Sequence, residues 1–295
     1  MLKMGYAEAD ISPEKPVETV GFGRKDNKSR GILRPLMAQV TVWEEELRYC
    51  LIAIDSLGFT IALSDNLRES IGKVLGVPTK HVMLCFSHCH SAPNAAVETE
   101  YYETVCKKTT EAAVMALGRL CEVSIGYGNA TADIGVNRRH GTALDKRVGI
   151  LQVCNAESGA KELLLLRVTA HCNVLKGDNY MISPDYFGAI RELLGEQYGS
   201  PVMVVQGAAG NIAPKYFQSE ETPVDARGEQ YIRSQTALKD MAVEVLKATM
   251  PVIAQMENKR TGLSGCIPRN LNYMRTYQPR KQPKKLLRKQ KKTVV

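Results

Sequence analysis

The sequence predicts an α/β fold, with a mixed or largely parallel sheet covered by helices. Three observations predict it. Short apolar runs alternate with amphipathic stretches from residue 1 to 258. Several runs are apolar on both faces, as strands covered on both sides must be. Apolar residues make up 44% of the 295 residues, which suits a globular core.

The elements follow in order. Strands are expected at "YCLIAIDSLGF" (49–59), "HVMLCFS" (81–87), "VSIGYG" (123–128), "GILQVCN" (149–155), "ELLLLRVTAH" (162–171) and "PVMVVQGA" (201–208). Helices are expected between them. In 61–75, Leu63, Leu67, Ile71 and Val74 share a face, and Gly76 with Pro78 supplies a stop. The stretch 95–118 is alanine-rich and carries Tyr101, Val105 and Met115. In 183–198, Ser183 can cap, Pro184 suits the first helical position, and Tyr186, Ile190 and Leu193 align. In 231–247, Leu238, Met241, Ala242 and Val245 do the same.

The net charge of +8 belongs to one end of the chain. Residues 259–295 hold 12 Lys and Arg and no acid, whereas the remainder has 27 basic and 31 acidic residues. The domain reading is therefore an α/β unit over 1–258 and a basic tail over 259–295. The tail has no apolar period and is expected to be disordered alone. The tail reads as a nucleic-acid or anionic-membrane arm, as a solvated extension, or as a stretch that is not native coding sequence. A shifted reading frame over 270–295 permits a strand-like start, a proline turn and a Glu/Lys/Ala helix, which supports the last. No run of 18 apolar residues occurs, so no transmembrane helix is expected. The opening "MLKMGYAEADISPEKP" lacks an apolar signal region. Eight cysteines form no C-x-x-C pair, which reads as reduced thiols in a cytoplasmic protein.

The chemistry concentrates in a few segments. "CFSHCHSAPNA" (85–95) places His88 and His90 two apart at a strand end, where both rings can reach one cleft. From spacing alone they are metal ligands or satisfied polar residues. His171 ends another strand, and ligands tend to collect at strand C-termini in open α/β sheets. Of five histidines, at 81, 88, 90, 140 and 171, three sit at such ends. Zinc suits two imidazoles, oxygen ligands and an open water position. "NRRHG" (137–141) offers Arg138 or Arg139 as a charged fork for a carboxylate or carbonyl oxygen, or is a solvated turn. "QGAAGNIAP" (206–214) supplies Gly207, Gly210 and Asn211, whose backbone can approach a ligand closely, or is a tight strand-to-helix turn. It lacks the Lys-Ser/Thr pair of a P-loop, and no G-x-S-x-G elbow occurs. Cys85 and Cys89 flank the histidines as soft ligands, nucleophiles or core residues.

In this order the motifs resemble the neutral/alkaline non-lysosomal ceramidase family in its shorter bacterial form, over about residues 3–255. "MGYAEADISP" and "GFGRKDNKSRGILRPLMAQVTVWE" resemble its N-terminal segment, and "SHCHSAP" its "THTHSGP" motif. "VNRRHG" and "LDKRVGILQV" resemble an arginine loop and the segment after it, "TAHCNVLKGDNYMISPDYFG" a histidine motif, and "QGAAGNIAP" a glycine-rich turn. The resemblance implies the N-terminal part of a ceramidase-like catalytic domain. It implies zinc on His88 and His171, with His90 and Arg138 as catalytic polar donors, and hydrolysis of an N-acyl or related small-molecule amide by zinc-activated water. Ala213 stands where ceramidases carry serine, and Asn211 where an aspartate is usual. The family's other two zinc ligands, a glutamate and a tyrosine, belong to a C-terminal half that this sequence lacks, so zinc is expected to be held weakly. The alternatives are a truncated member without catalysis, and surface binding through the tail.

Overall fold

The computed structural model describes residues 1–139, 141, 143–215 and 227–256. In chain order the elements begin with β1 (Lys3–Asp10), β2 (Thr19–Val20), β3 (Met37–Glu44), β4 (Arg48–Ile54), α1 (Ile61–Leu75), β5 (Val82–Phe86), β6 (Ala92–Pro93) and α2 (Thr99–Gly118). They continue with β7 (Cys121–Thr131), β8 (Gly135–Asn137), β9 (Arg147–Asn155), β10 (Lys161–Val168), α3 (Tyr186–Tyr198), β11 (Val202–Gln206), β12 (Ile212–Pro214) and α4 (Arg227–Gln255). The tail over 259–295 lies outside the described residues.

Eight strands form one sheet in the order β11-β10-β9-β7-β1-β3-β4-β5. The sheet is mixed rather than largely parallel. The parallel pairs, β10 with β11 and β4 with β5, lie at its two ends, and the pairs between are antiparallel. The sequence runs did not reveal this, because a strand covered on both faces is apolar in either orientation. β1 and β3 also escaped the sequence reading. Polar residues interrupt both: Tyr6, Glu8, Gln39 and Thr41 share one side of the sheet, and Gln39 donates to Tyr6, Glu8 and the carbonyl of Val202.

Alternation sorts the two faces of the sheet. Ala38, Val40, Val42, Cys50, Ile52, Ile54, Leu164 and Leu166 pack into the core that includes the helices. Met4, Trp43, Ala53, Val153, Leu163 and Met203 form a second core on the opposite face. Gln39 of β3 reaches Val202 of β11, so the sheet curls and its ends approach across that second core. Gln206, at the end of β11, donates to the carbonyl of Ser87 just past β5.

The helices cover the first face. Thr60 caps α1 by accepting from the Leu63 N–H, and Gly76 ends it in the left-handed region. The buried row of α1 is Leu67, Ile71 and Leu75, while Val74 points to solvent. Four-residue steps keep 67, 71 and 75 on one stripe, which a step to 74 leaves. Each such buried aliphatic side chain contributes about 1.5–3 kcal/mol. α3 starts later than the sequence suggested. Asp185 is its N-cap, accepting from the Tyr186 N–H, and Ser183 instead accepts from the Asp185 N–H. Asp185 has φ 55° and ψ −143°, a conformation costly for a residue with a Cβ. Its buried carboxylate also accepts from Val174 and Leu175, which helps hold it there. Arg191 of α3 forms a buried two-point ion pair with Asp55 at the exit of β4.

Candidate metal centre

Three histidines meet where the two parallel ends of the sheet come together. His88 and His90 follow β5, and His171 follows β10. The ring centroids are 4.6 Å apart for His88 and His171, 4.9 Å for His90 and His171, and 5.2 Å for His88 and His90. One ligand atom from each ring lies within 4.8 Å of the others.

Backbone pairing builds this convergence. The Cys89 N–H donates to Ser56 and the His90 N–H to Cys172, which stitches the "HCH" segment between the β4 exit and the β10 exit. His171 N–H donates to Ile212 in β12. The two small sheets each deliver one further piece. β2 pairs with β6, aligning Val20 with Ala92, so Gly21 arrives beside His90. β8 pairs with β12, aligning Asn137 with Ile212, so Arg138 arrives beside His171. Gly21 has φ +122°, and a Cβ there would lie 2.7 Å from His90 Nδ1. Only glycine fits that approach.

The ring orientations follow from their partners. His88 Nδ1 lies 2.9 Å from the Leu57 carbonyl, and His90 Nδ1 lies 3.0 Å from the Gly21 carbonyl. A carbonyl only accepts, so each Nδ1 carries the proton and each neutral ring presents a lone pair at Nε2. Metal-ligating histidines are oriented by such bonds at the second nitrogen. His90 Nε2 and His171 Nε2 stand 2.9 Å apart. Lone pairs brought that close repel unless a cation or a proton sits between them. A tetrahedral zinc with Zn–N near ~2.05 Å would set such nitrogens about 3.3 Å apart, a small adjustment. The donor set therefore fits zinc.

Burial keeps two of the rings, His90 and His171, neutral. Burial pushes His90 down to about 4, and the charges of Lys176 and Arg138 add to this against the bond to Gly21. Burial also pushes His171 down to about 4, followed by the charge of Arg138. A proton therefore competes poorly for either ring at neutral pH.

His88 itself has φ 57°, so two non-glycine residues, His88 and Asp185, take positive φ among the described residues. They share one neighbourhood. Cys89 donates its thiol to Ser183, and Ser183 N–H donates to Ser91. Backbone strain gathered at one place is a common mark of a functional site.

The other sequence candidates fall into place as follows. Arg138 Nη2 lies 3.5 Å from His171 Nδ1 and donates to the Gly210 carbonyl at 2.8 Å. The Arg138 N–H donates to the Asn211 carbonyl at 2.9 Å. Gly210 and Asn211 thus orient the arginine. Gly207 N–H donates to Val168, and a Cβ there would meet Thr169 Oγ1 at 2.3 Å, so its small size serves the close approach of β10 and β11. The turn leads into β12 and not into a helix. Arg139 is exposed beside it, and His140 lies outside the described residues. Sequence reasoning missed Phe22, whose ring is 5.2 Å from His90, and Lys176, whose charge acts on His90. No periodic or spacing signal marks either, since both sit in irregular loops.

Comparison with solved structures assigns the architecture. The neutral ceramidase of Pseudomonas aeruginosa superimposes with a TM-score of 0.72 at 19% identity, over 84% of this chain. The chain has the neutral ceramidase fold. A ceramidase complexed with C2 superimposes with a TM-score of 0.69 at 20% identity over 82% of the chain. The chain spans 44% and 43% of the length of these two ceramidases. No family model and no curated protein sequence matches it. Among the described residues no helix is long and apolar enough to cross a membrane.

Proposed function

We propose that this chain carries the histidine ligands of the zinc site of a ceramidase-like amide hydrolase, acting on an N-acyl or related lipid amide. The observation that carries the reading is the convergence of three imidazoles, His88, His90 and His171, with one ligand atom of each within 4.8 Å of the others. His88 and His171 would hold the metal. His90 presents a lone pair, which suits it as a third ligand or as a proton acceptor better than as a donor. Bound zinc would supply a water acidified toward pKa ~7 and a positive charge for the amide carbonyl. Arg138, fixed by Gly210 and Asn211, stands beside His171 as a charged donor for the carbonyl oxygen as negative charge develops. On this reading residues 1–258 are an incomplete ceramidase-like unit, and 259–295 are set off from it by their basic composition. The absence of a disulfide among the described cysteines suits a reducing, cytoplasmic setting.

The test is metal stoichiometry followed by turnover. Protein stripped with chelator and reloaded should hold one zinc per chain by elemental analysis, and His88→Ala or His171→Ala should abolish it. Release of fatty acid from an N-acyl amide, followed by mass spectrometry, should depend on that zinc. Equal metal content in wild type and both variants would end the proposal.

A further inference from the structure

Gln206 is the last residue of β11 and pairs with Val168 of β10. Its side chain reaches from there toward the opposite end of the sheet. The amide nitrogen Nε2 donates to the Ser87 carbonyl at 3.0 Å and to the Ala170 carbonyl at 2.9 Å. Ser87 immediately precedes His88, and Ala170 immediately precedes His171. One side chain therefore grips the backbone just before each of two rings whose centroids are 4.6 Å apart. The neighbours also fix which way the amide points. Both are carbonyl oxygens, which only accept, so the NH2 group and not the amide oxygen must face them.

β5 and β11 share no ladder, because they close opposite ends of the strand order. Each strand exit is instead anchored to its own half of the sheet. The Ser87 N–H donates to Ile54, which carries the β4–β5 pairing one step past β5. The Ala170 carbonyl accepts a second bond from the buried Tyr186 hydroxyl at 2.7 Å, which occupies both of its lone pairs. Gln206 joins these two anchors. The His90 N–H joins the same segments just past the rings, by donating to the Cys172 carbonyl at 3.3 Å. With that bond alone the two segments can pivot about it. A tie placed before the rings removes the pivot. A metal centre needs its ligands held to within about 0.5 Å, so such a tie bears on binding and not on stability alone.

We propose that Gln206 is a positioning residue of the metal centre, its side-chain amide a crosstie that sets the spacing of His88 and His171. It acts through the two backbone carbonyls. The consequence for metal rests on the zinc reading given above, whereas the crosstie itself does not.

Three variants separate positioning from stability. Gln206→Met removes both donors at nearly constant volume. Gln206→Glu keeps the shape and turns carboxylate oxygens on the two carbonyls. Val204→Ala, two positions earlier in β11, opens a cavity in the helix-side core and leaves both carbonyls their donors. The first readout uses metal-free protein with labelled histidine rings. The nuclear Overhauser contact between the rings of His88 and His171 should be strong in wild type and Val204→Ala. It should weaken several-fold or vanish in both Gln206 variants. The second readout is zinc alone, titrated against a chromophoric chelator. Both Gln206 variants should lose about ten-fold in affinity, the low end for groups that orient metal ligands, and Val204→Ala should lose none.

Should the Gln206 variants fail to fold, the wild type decides by hydrogen exchange. The side-chain amide protons of Gln206, both bonded to carbonyls, should exchange far more slowly than those of exposed Gln197. A ring contact that survives in either Gln206 variant overturns the proposal. So do equal losses in Val204→Ala, zinc affinity unchanged in variants that lose the contact, no contact in wild type, or Gln206 protons that exchange like those of Gln197. A wild type that binds no zinc counts against the hydrolase reading alone, and the ring contact in metal-free protein then decides this one.

Discussion

Replacing His88 by glycine should leave a more stable protein than replacing it by alanine. Both changes delete the ring and its bond to the Leu57 carbonyl, so those losses cancel. What differs is the backbone, where His88 holds φ 57°. A side chain in this left-handed region costs about 1–2 kcal/mol. Glycine escapes that cost but gives up about 0.5–1 kcal/mol of extra chain entropy on folding. The net advantage of glycine is thus about 0.5–1 kcal/mol. For a domain of this size that is about 1–4 °C in Tm. Metal-free protein should be used, since bound metal would stabilise only the folded state. Urea unfolding monitored by circular dichroism would read the difference directly. A control belongs at Glu111, an exposed residue inside α2, where glycine should be worse than alanine by about 1 kcal/mol. If alanine matched or exceeded glycine at 88, the claim that the fold strains its backbone to aim this ring would be wrong.

Three further outcomes are expected. Arg191→Met strands the buried Asp55 carboxylate and should cost about 3–5 kcal/mol in urea unfolding, while adding Asp55→Ala to it should cost little more. Simple additivity of the two changes would refute the coupling. His90 and His171 titrate near 4 in the fold and near 6.5 when unfolded. The unfolded chain therefore binds more protons between those values, so stability from these groups is complete above pH 6.5 and is lost as pH falls toward 4. Zinc affinity should likewise be less sensitive to proton competition at these two rings between pH 6.5 and 5 than ordinary imidazoles would make it; a tenfold loss per pH unit per ring beginning at 6.5 would contradict the assignment. Gly5→Ala would drive a Cβ to 1.9 Å from the Ala116 carbonyl oxygen, so β1 and α2 must part, at a cost of about 1–3 kcal/mol by thermal denaturation.

Legibility in the sequence followed the physics of each element. The bounds of α1 were legible, because an apolar stripe and a stop at Gly76 are local signals, although Val74 fell off the stripe and the Thr60 cap went unread. Apolar strands such as β10 and β11 were legible because burial on both faces leaves little room for polar residues. β1 and β3 were not, since a buried polar row between Tyr6, Glu8 and Gln39 breaks their pattern and makes sense only once the sheet has curled. His88, His90 and His171 could be picked as candidates from their places at strand ends. Their meeting was expected only through the family resemblance, because from the residues alone it depends on which strands lie at the two ends of the sheet. The start of α3 was misplaced because Ser183 and Pro184 mimic a helix start, whereas Asp185 is kept as the cap by tertiary bonds to Val174 and Leu175. Lys176 and Phe22 lie within segments quoted for the resemblance but carry no periodic or spacing signal of their own, since loops are placed by what they tie together.

The cluster joins segments 81 residues apart in the chain, from opposite ends of the strand order. No local folding event can assemble it. Every ladder between β5 and β11 must form, and the curl must close, before the rings face one another, so loop-closure entropy places this step late. Cation uptake during refolding is then a clock for completion of the tertiary structure. A molecule arrested with either flank unzipped would contain all three imidazoles and coordinate nothing.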